Sequence, residues 1–197
     1  MPQFTDITGL AGCTLAVVAV LLSLPGVTRQ SKAQRMLLSF AAAIALLFPL
    51  GALPAAAYVR GMIGDLSITS IVLLLGVVLS SMRGWPALEG RERTWLLSGI
   101  VAAAVIFYPM ALGWGYTDPY RLGYGDPWML SALFLLAVAA WWGRYPLSAL
   151  CIALAVLAWS LGWYESTNLW DYLLDPLLAL YAIGSLLWRG LAWLRRG

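Results

Sequence analysis

Seven long apolar stretches divide the chain and constrain its fold more than any other feature of the sequence. They are Ile7–Pro25, Met36–Tyr58, Leu66–Met82, Trp95–Trp114, Pro127–Gly143, Tyr145–Trp163 and Leu169–Trp188. A helix rises about 1.5 Å per residue, so each stretch is about long enough to cross a hydrocarbon core of roughly 30 Å. The pattern predicts an all-α polytopic membrane protein with about seven transmembrane helices.

The composition agrees with a chain that lies in a bilayer. Of its 197 residues, 62% are hydrophobic and only 11% are charged, which leaves too little polar surface for a soluble monomer. The connections between the apolar stretches are short and leave no room for a separate soluble domain. We therefore expect residues 1–197 to form a single transmembrane helical domain.

The basic residues fall mainly on one side of the apolar stretches. Ten of the twelve lie in alternate connections and in the tail: Arg29, Lys32, Arg35, Arg83, Arg91, Arg93, Arg144, Arg189, Arg195 and Arg196. Only Arg60 and Arg121 lie on the other side. Because lysine and arginine in short loops are retained in the cytoplasm, the sequence predicts a periplasmic amino terminus, a cytoplasmic carboxyl terminus and a bacterial inner-membrane location.

Several chemistries are disfavoured by residue type. The chain has no histidine and only two cysteines, Cys13 and Cys151, which fall in opposite predicted leaflets, so the usual zinc, copper, haem and iron–sulfur ligand sets cannot be assembled. The serine-hydrolase, metalloprotease and phosphate-loop motifs are missing from the sequence. Membrane orientation explains the net charge of +3. We therefore expect no cofactor, no bound metal and no nucleic-acid partner.

Prolines and short connections modify this outline. Pro49, Pro54, Pro109 and Pro176 fall within apolar stretches, where each removes an amide donor and predicts a kink. The fifth and sixth stretches are joined only by residues 143–146, which is compatible with a tight helical hairpin or with shallow, tilted helices. The charge split favours the hairpin.

The acidic residues are concentrated on the predicted outer side. Two, Glu89 and Glu92, are predicted to be cytoplasmic, whereas the others are Asp6, Asp65, Asp118, Asp126, Glu165, Asp171 and Asp175. Asp65 is expected to cap the third helix, and Asp126 precedes Pro127, a residue type favoured at the first helical position. Asp118 before Pro119 predicts a turn.

Asp175 does not fit a capping role in this interpretation. It would lie one turn below Asp171 on the same helix face, inside the hydrocarbon region and too deep to cap a helix. A carboxylate at that depth is a functional-site hypothesis. The alternatives are a hydrogen bond between helices or a pairing with Arg60 or Arg121.

These residues lead to a functional hypothesis centred on the outer side. Asp171 and Asp175 would bind a ligand or couple to protons, and Glu165, Asp65 and Asp126 would form the rim of an acidic mouth. Arg60 and Arg121, the two basic residues on this side, are further candidates for the same site. Interfacial aromatic residues would surround it: Trp114, Tyr116, Tyr120, Tyr124, Trp128, Trp163, Tyr164 and Trp170. Aromatic rings beside carboxylates suit sugars or organic cations.

The leading hypothesis is therefore a transport or binding protein that takes a small polar or lipid-linked ligand through this periplasmic-facing mouth. The first alternative is a non-catalytic membrane subunit that packs against a larger envelope enzyme or transporter. The second alternative is an intramembrane enzyme that uses carboxylates on a lipid-linked substrate. Of these classes, a non-enzymatic role is favoured. The partners expected are the lipid bilayer, the ligand and, in the first alternative, another membrane subunit.

Overall fold

The computed structural model describes residues 4–83, 90–114 and 117–195, and nearly all regular structure in them is helical. Glu89, Tyr116 and Arg196, to which the sequence assigned positions, lie outside the described residues. The helices are α1 Phe4–Ser23, α2 Pro25–Thr28, α3 Lys32–Leu47, α4 Ala55–Ile63, α5 Ile68–Arg83, α6 Gly90–Ala111, α7 Pro127–Trp142, α8 Pro146–Ser160, α9 Trp170–Leu173 and α10 Pro176–Leu194. A 3₁₀ helix spans Pro119–Gly123. The predicted all-α class is confirmed.

Three of these helices are long and apolar enough to cross a membrane. They are α1 from Asp6 onward, α6 and α10. Helices α5, α7 and α8 are apolar but shorter, at 16, 16 and 15 residues, so each extends about 23 Å at 1.5 Å per residue. Helices with the composition and length of membrane spans are therefore present in the described part of the chain.

The second predicted stretch is not one kinked helix. Helix α3 ends at Leu47, and a small antiparallel hairpin pairs β1 (Pro49–Leu50) with β2 (Leu53–Pro54) before α4 begins. Phe48 is extended, with φ −72° and ψ 135°, because the ring of a following proline disfavours the helical conformation. The expected kink is thus a complete interruption of the helix.

The seventh predicted stretch is also divided. Helix α9 ends at Leu173, Leu174 and Asp175 are both extended, and α10 begins at Pro176. Proline occupies the first helical position of α10, where its missing amide donor costs little. The prediction that Asp171 and Asp175 share one face of one helix is therefore wrong. Pro109, in contrast, is accommodated inside α6.

The chain groups into two units by its internal contacts. The first contains residues 1–66, 70–87 and 162–165, and the second contains residues 67–69, 88–161 and 166–197. The first unit has a core of buried apolar side chains formed by Val18, Ala19, Leu22, Val27 and Val78. Its helix α3 begins with a reciprocal cap between the side chains and backbones of Ser31 and Gln34, which satisfies amides that lack helical partners.

In the second unit, α7 packs on α8 and α6 packs on α10. The α7–α8 connection is the tight helical hairpin that the charge split favoured. The Gly143 N–H donates to the Ala139 carbonyl, and the Tyr145 N–H donates to the Ala140 carbonyl. Arg144 adopts φ 61° to close this turn. Cys151 in this unit and Cys13 in the first are buried free thiols.

Candidate functional site

Arg60 is the centre of a charged network in the first unit. Its Nε and Nη2 donate to the two carboxylate oxygens of Asp65 at 2.7 and 2.9 Å. Its Nη1 donates to Asp6 Oδ1 at 3.0 Å, and Nη2 lies 3.7 Å from Glu165 Oε1. The hydrogen bond with Asp65 is the main cause that raises the pKa of Arg60 above its ordinary value. A two-bond arginine–carboxylate pair of this kind fixes geometry as well as charge.

The helix that faces this network approaches it closely at Gly9. A Cβ atom at that position would overlap Arg60 Nε and Asp65 Oδ1. The close approach of Arg60 and Asp65 to the backbone of α1 therefore explains the glycine at this position. Glycine inside a helix otherwise costs about 1 kcal/mol relative to alanine. The Arg60–Asp65 pair is packed against the backbone of α1.

Glu165 belongs to the same unit through a short segment that is held by backbone contacts. Tyr164 O–H donates to the Leu66 carbonyl at 2.8 Å, and Thr8 O–H donates to the Trp163 carbonyl at 2.9 Å. The Glu165 side chain nevertheless remains 63% exposed. Its contact with Arg60 is therefore a long and solvent-screened one.

Asp175 is buried in the second unit and caps α10. Its Oδ1 accepts from the Leu178 N–H at 2.8 Å. Its Oδ2 accepts from the Ser67 N–H at 3.0 Å and from the Ser67 hydroxyl at 2.7 Å. The residue is 4% exposed. The expectation that Asp175 lies too deep to cap a helix is wrong, because the break before Pro176 creates a helix start at this point.

Asp171 is the centre of a second polar cluster in the same unit. Its Oδ2 accepts from the Tyr120 hydroxyl at 3.0 Å and from the Ser166 hydroxyl at 2.5 Å. Within the described residues, no hydrogen bond reaches the other carboxylate oxygen. Burial, followed by the hydrogen bond to Asp171, raises the pKa of Tyr120 to about 12. Tyr120 therefore keeps its proton and donates to Asp171 across the neutral pH range.

Asn168 fixes the 3₁₀ helix beside this cluster. Its Nδ2 donates to the Tyr120 carbonyl at 2.8 Å, and its Oδ1 accepts from the Trp170 N–H at 2.9 Å. The Leu169 N–H donates to the Gly123 carbonyl at 2.8 Å. A Cβ at Gly123 would collide with the Asn168 amide. The loop that carries Tyr120 is therefore held in place by a buried amide and a glycine.

Aromatic rings adjoin the Asp171 cluster. The rings of Phe107 and Trp170 are 4.5 Å apart between centroids, and those of Phe107 and Tyr120 are 6.1 Å apart. Tyr120 and Tyr124 meet edge to face at 5.7 Å, an arrangement that aromatic quadrupoles favour. Tyr124 is 59% exposed. A carboxylate with one open oxygen thus lies in an aromatic environment that extends to the surface.

The other predicted acids serve local structure. Asp126 Oδ1 accepts from the amides of Trp128 and Met129 and caps α7, as predicted. Asp118 accepts from the Tyr120 N–H at the start of the 3₁₀ helix, which confirms the predicted turn. Asp65 does not cap α5, since that helix begins three residues later at Ile68. Its two oxygens are bound to Arg60 instead.

The predicted site residues are divided between the two units, and only Arg60, Asp65 and Glu165 are in contact with one another among the described residues. The first unit contains Arg60, Asp65 and Glu165, and the second contains Asp171, Asp175, Asp126 and Arg121. Arg121 lies in the 3₁₀ helix, is exposed, and has no side-chain ion pair or hydrogen bond within residues 4–83, 90–114 and 117–195. The described hydrogen bonds of Asp175 are those with Ser67 and Leu178.

The sequence did not indicate that hydroxyl groups would bind these acids, although it placed Tyr120 among the aromatic residues around the mouth. Ser67, Ser166 and Tyr120 supply the bonds to the two buried or half-buried carboxylates, and Asn168 positions the loop. A signal was present, because Ser166 and Asn168 flank the break before the seventh stretch. Ser166 is only five residues from Asp171, but Asn168 and the Tyr120 carbonyl are 48 residues apart, and Ser67 and Asp175 are 108 apart. Spacing alone does not indicate contacts as distant as these. Within the described residues, no group of three or more acidic, cysteine or histidine side chains could hold a metal ion.

Comparison of the chain with protein-family models, with curated proteins and with solved structures finds no match. Function is therefore inferred from the chemistry of the side chains described above. Among them, Asp171 combines a restrained carboxylate, an open oxygen and adjoining aromatic rings.

Proposed function

We propose that the chain is a multi-pass inner-membrane protein with seven membrane-spanning segments, a periplasmic amino terminus and a cytoplasmic carboxyl terminus. Helices α1, α3, α5, α6, α7, α8 and α10 would be the spans. Helix α4 and the 3₁₀ helix would then lie on the periplasmic side with Arg60 and Arg121. The ten-to-two division of basic residues supports this orientation.

Reporter fusions test the orientation directly. We expect alkaline phosphatase activity from fusions after Asp118 and after Glu165, since that enzyme folds only outside the cytoplasm. Fluorescent-protein signal is expected from fusions after Arg29 and Arg195, because the fluorescent reporter matures in the cytoplasm. A cytoplasmic signal at Asp118 would contradict the proposed topology.

We further propose that the protein binds a small polar or lipid-linked ligand at the Asp171 cluster. The observation that carries this proposal is the Asp171 carboxylate, which is held by the hydroxyls of Tyr120 and Ser166 through one oxygen only. The other oxygen remains available to accept from a ligand hydroxyl or ammonium group. Tyr120, which binds this carboxylate, contacts the rings of Phe107 and Tyr124, and aromatic rings stack on sugars and attract organic cations.

The hydrogen bonds of the predicted acids leave fewer carboxylates available to a ligand than the sequence suggested. Asp175 has both oxygens engaged, Asp126 caps α7, and Asp65 is paired with Arg60. Releasing Asp175 or Asp65 for a ligand would leave donors without acceptors, at a cost of about 1–3 kcal/mol each. Asp126 binds the amides of α7 through one oxygen, whereas Asp171 is held by side-chain hydroxyls beside the contacts of Tyr120, Phe107 and Trp170. Asp171 can bind a ligand without losing its existing bonds. Tyr124, which contacts Tyr120, and Arg121, which follows Tyr120 in the 3₁₀ helix, are both exposed.

The experiment compares Asp171→Asn with Asp126→Asn in protein purified in mild detergent. Native mass spectrometry would measure retention of co-purifying small molecules and of an added glycosyl diacylglycerol. The amide introduced at position 171 can still accept from Tyr120 and Ser166, but it replaces the open oxygen with a donor group. We expect binding to fall about tenfold, which is about 1.4 kcal/mol.

Asp126→Asn is the matched control, because asparagine caps helices about as well as aspartate and the same charge is removed. Binding should be unchanged in this variant. Equal binding by wild type and Asp171→Asn would overturn the proposed site. Stoichiometric co-purification of a second polypeptide, without any bound small molecule, would favour the subunit alternative.

A further inference from the structure

An open apolar groove lies within the first unit, between α1 and α3. Its volume is about 620 Å³, within the range of roughly 300–1,000 Å³ that small-ligand sites occupy. Thr14 and Val18 of α1 face Ser39 and Ala43 of α3 across it, and Met82 of α5 contributes to the wall. The groove is independent of the Asp171 cluster, which belongs to the other unit.

The hydroxyl groups of the groove have no free proton to donate to an occupant. The Thr14 hydroxyl donates to the Leu10 carbonyl at 2.8 Å, and the Ser39 hydroxyl donates to the Arg35 carbonyl at 2.8 Å. Both protons are therefore used within the helices that carry them. The lining consequently presents hydrocarbon to its occupant, and a polar ligand would lose hydrogen bonds to water without replacement.

The groove is open at the surface, and several of the large apolar side chains that line it are exposed. Ile7, Phe40 and Leu47 line it and are 55%, 64% and 53% exposed. Large apolar side chains with this exposure would contact lipid in a membrane, so an occupant can enter from the bilayer. An acyl chain has the elongated shape and apolar surface that such an opening admits.

Two basic residues lie on the same face of α3 as the groove, closer to the amino terminus of that helix. Lys32, Arg35, Ser39 and Ala43 are spaced by three or four residues and so lie on one face of the helix. Side chains on a helix tilt toward its amino terminus, so the two cations extend away from the groove toward that end. The Arg35 Nε is shielded from solvent and has no hydrogen-bond partner among the described residues. A buried arginine nitrogen without an acceptor is costly, and an anionic oxygen would satisfy it.

From this combination we propose that the groove binds one acyl chain of an anionic membrane phospholipid, whose phosphate is held by Arg35 and Lys32. The apolar groove takes the chain, and the cationic end of the same helix face takes the headgroup. Charge complementarity distinguishes this occupant from a neutral lipid or an apolar partner helix.

The test measures lipid retention by native mass spectrometry, with phosphatidylglycerol and phosphatidylcholine of identical acyl chains as probes. Wild-type protein should retain one phosphatidylglycerol in preference to phosphatidylcholine. The double variant Lys32→Gln/Arg35→Gln should lose this preference, with affinity for phosphatidylglycerol reduced about tenfold. Arg144→Gln/Arg195→Gln removes two exposed cations elsewhere and should leave the preference intact.

A second pair of variants tests the groove itself. Ala43→Phe fills the groove and should reduce retention of phosphatidylglycerol, whereas Ala45→Phe, on an exposed face of α3 outside the groove, should not. Lys32→Gln alone leaves the half-buried Arg35 unchanged and should still weaken the preference for phosphatidylglycerol; it replaces the double glutamine variant in the comparison if that variant does not fold.

Three outcomes would overturn the proposal. They are equal retention of the two lipids by wild-type protein, no effect of Ala43→Phe relative to Ala45→Phe, and a dimer that Ala43→Phe dissociates without any change in bound lipid. The last would show that a second copy of the chain occupies the groove.

Discussion

Asp175→Leu should lower the free energy of unfolding by about 3–5 kcal/mol, the largest effect expected from a single substitution in this chain. Leucine removes the acceptor for three donors: the Ser67 N–H, the Ser67 hydroxyl and the Leu178 N–H. Each buried donor left unpaired costs about 1–3 kcal/mol, and loss of a helix cap about 0.5–2 kcal/mol. Thermal unfolding in detergent, followed by the fluorescence of a fused reporter during size exclusion, measures the change.

Asp175→Asn separates the structural role from a chemical one. Its amide oxygen can still cap α10, but its amide nitrogen would then face the Ser67 N–H in place of an acceptor. We therefore expect a loss of about 1–3 kcal/mol, smaller than that for leucine. Asp118→Leu is a useful control, because it removes an exposed cap with one described bond and should cost less than about 1 kcal/mol. Stability of Asp175→Leu equal to wild type would contradict the buried cap. Loss of ligand binding in a fully stable Asp175→Asn would instead support the ligand-binding or proton-coupling role predicted from sequence.

Gly9→Ala should destabilise the first unit by about 1–3 kcal/mol, although alanine is the better helix former. The new methyl group would overlap Arg60 Nε and Asp65 Oδ1, and overpacking of this kind typically costs that amount. The two-bond pair between Arg60 and Asp65 would have to separate. The measurement is again the unfolding temperature in detergent, compared with wild type.

Gly12→Ala is the matched control in the same helix. A Cβ at Gly12 would meet the nearest side-chain atom, Ile71 Cδ1, at 3.4 Å, which is an ordinary contact. We therefore expect this variant to be as stable as wild type or more stable by up to about 1 kcal/mol. Destabilisation of both variants by the same amount would show that the Arg60–Asp65 pair is not what requires glycine at position 9.

The amino-acid sequence by itself determined the helical class and most helix positions. Long apolar runs specify helices through local composition, and α7 begins and ends within one residue of the predicted fifth stretch. The cap at Asp126 could be predicted from the sequence, because the accepting carboxylate and the donating amides of Trp128 and Met129 lie within three residues of each other. Local signals of this kind can be recognised without knowledge of the fold.

The sequence indicated where prolines would disturb the helices, but not whether each helix would bend or end there. Pro49 and Pro54 were expected to bend a helix, and they ended it instead. Pro176 likewise begins a helix, which turns the carboxylate at position 175 into a cap. A residue before proline is biased toward extended backbone, but whether the helix resumes depends on partners elsewhere in the chain.

Only the tertiary structure decided which partners each carboxylate binds. Asp65 was expected to cap a helix nearby, yet it pairs with Arg60; Asp175 is bound by Ser67, 108 residues away in sequence. Asp171 keeps one open oxygen because its two described donors, from Tyr120 and Ser166, reach the same oxygen atom. The sequence determines which residue types can ionise or donate, whereas the bonds they form depend on distances that arise only when remote segments pack together.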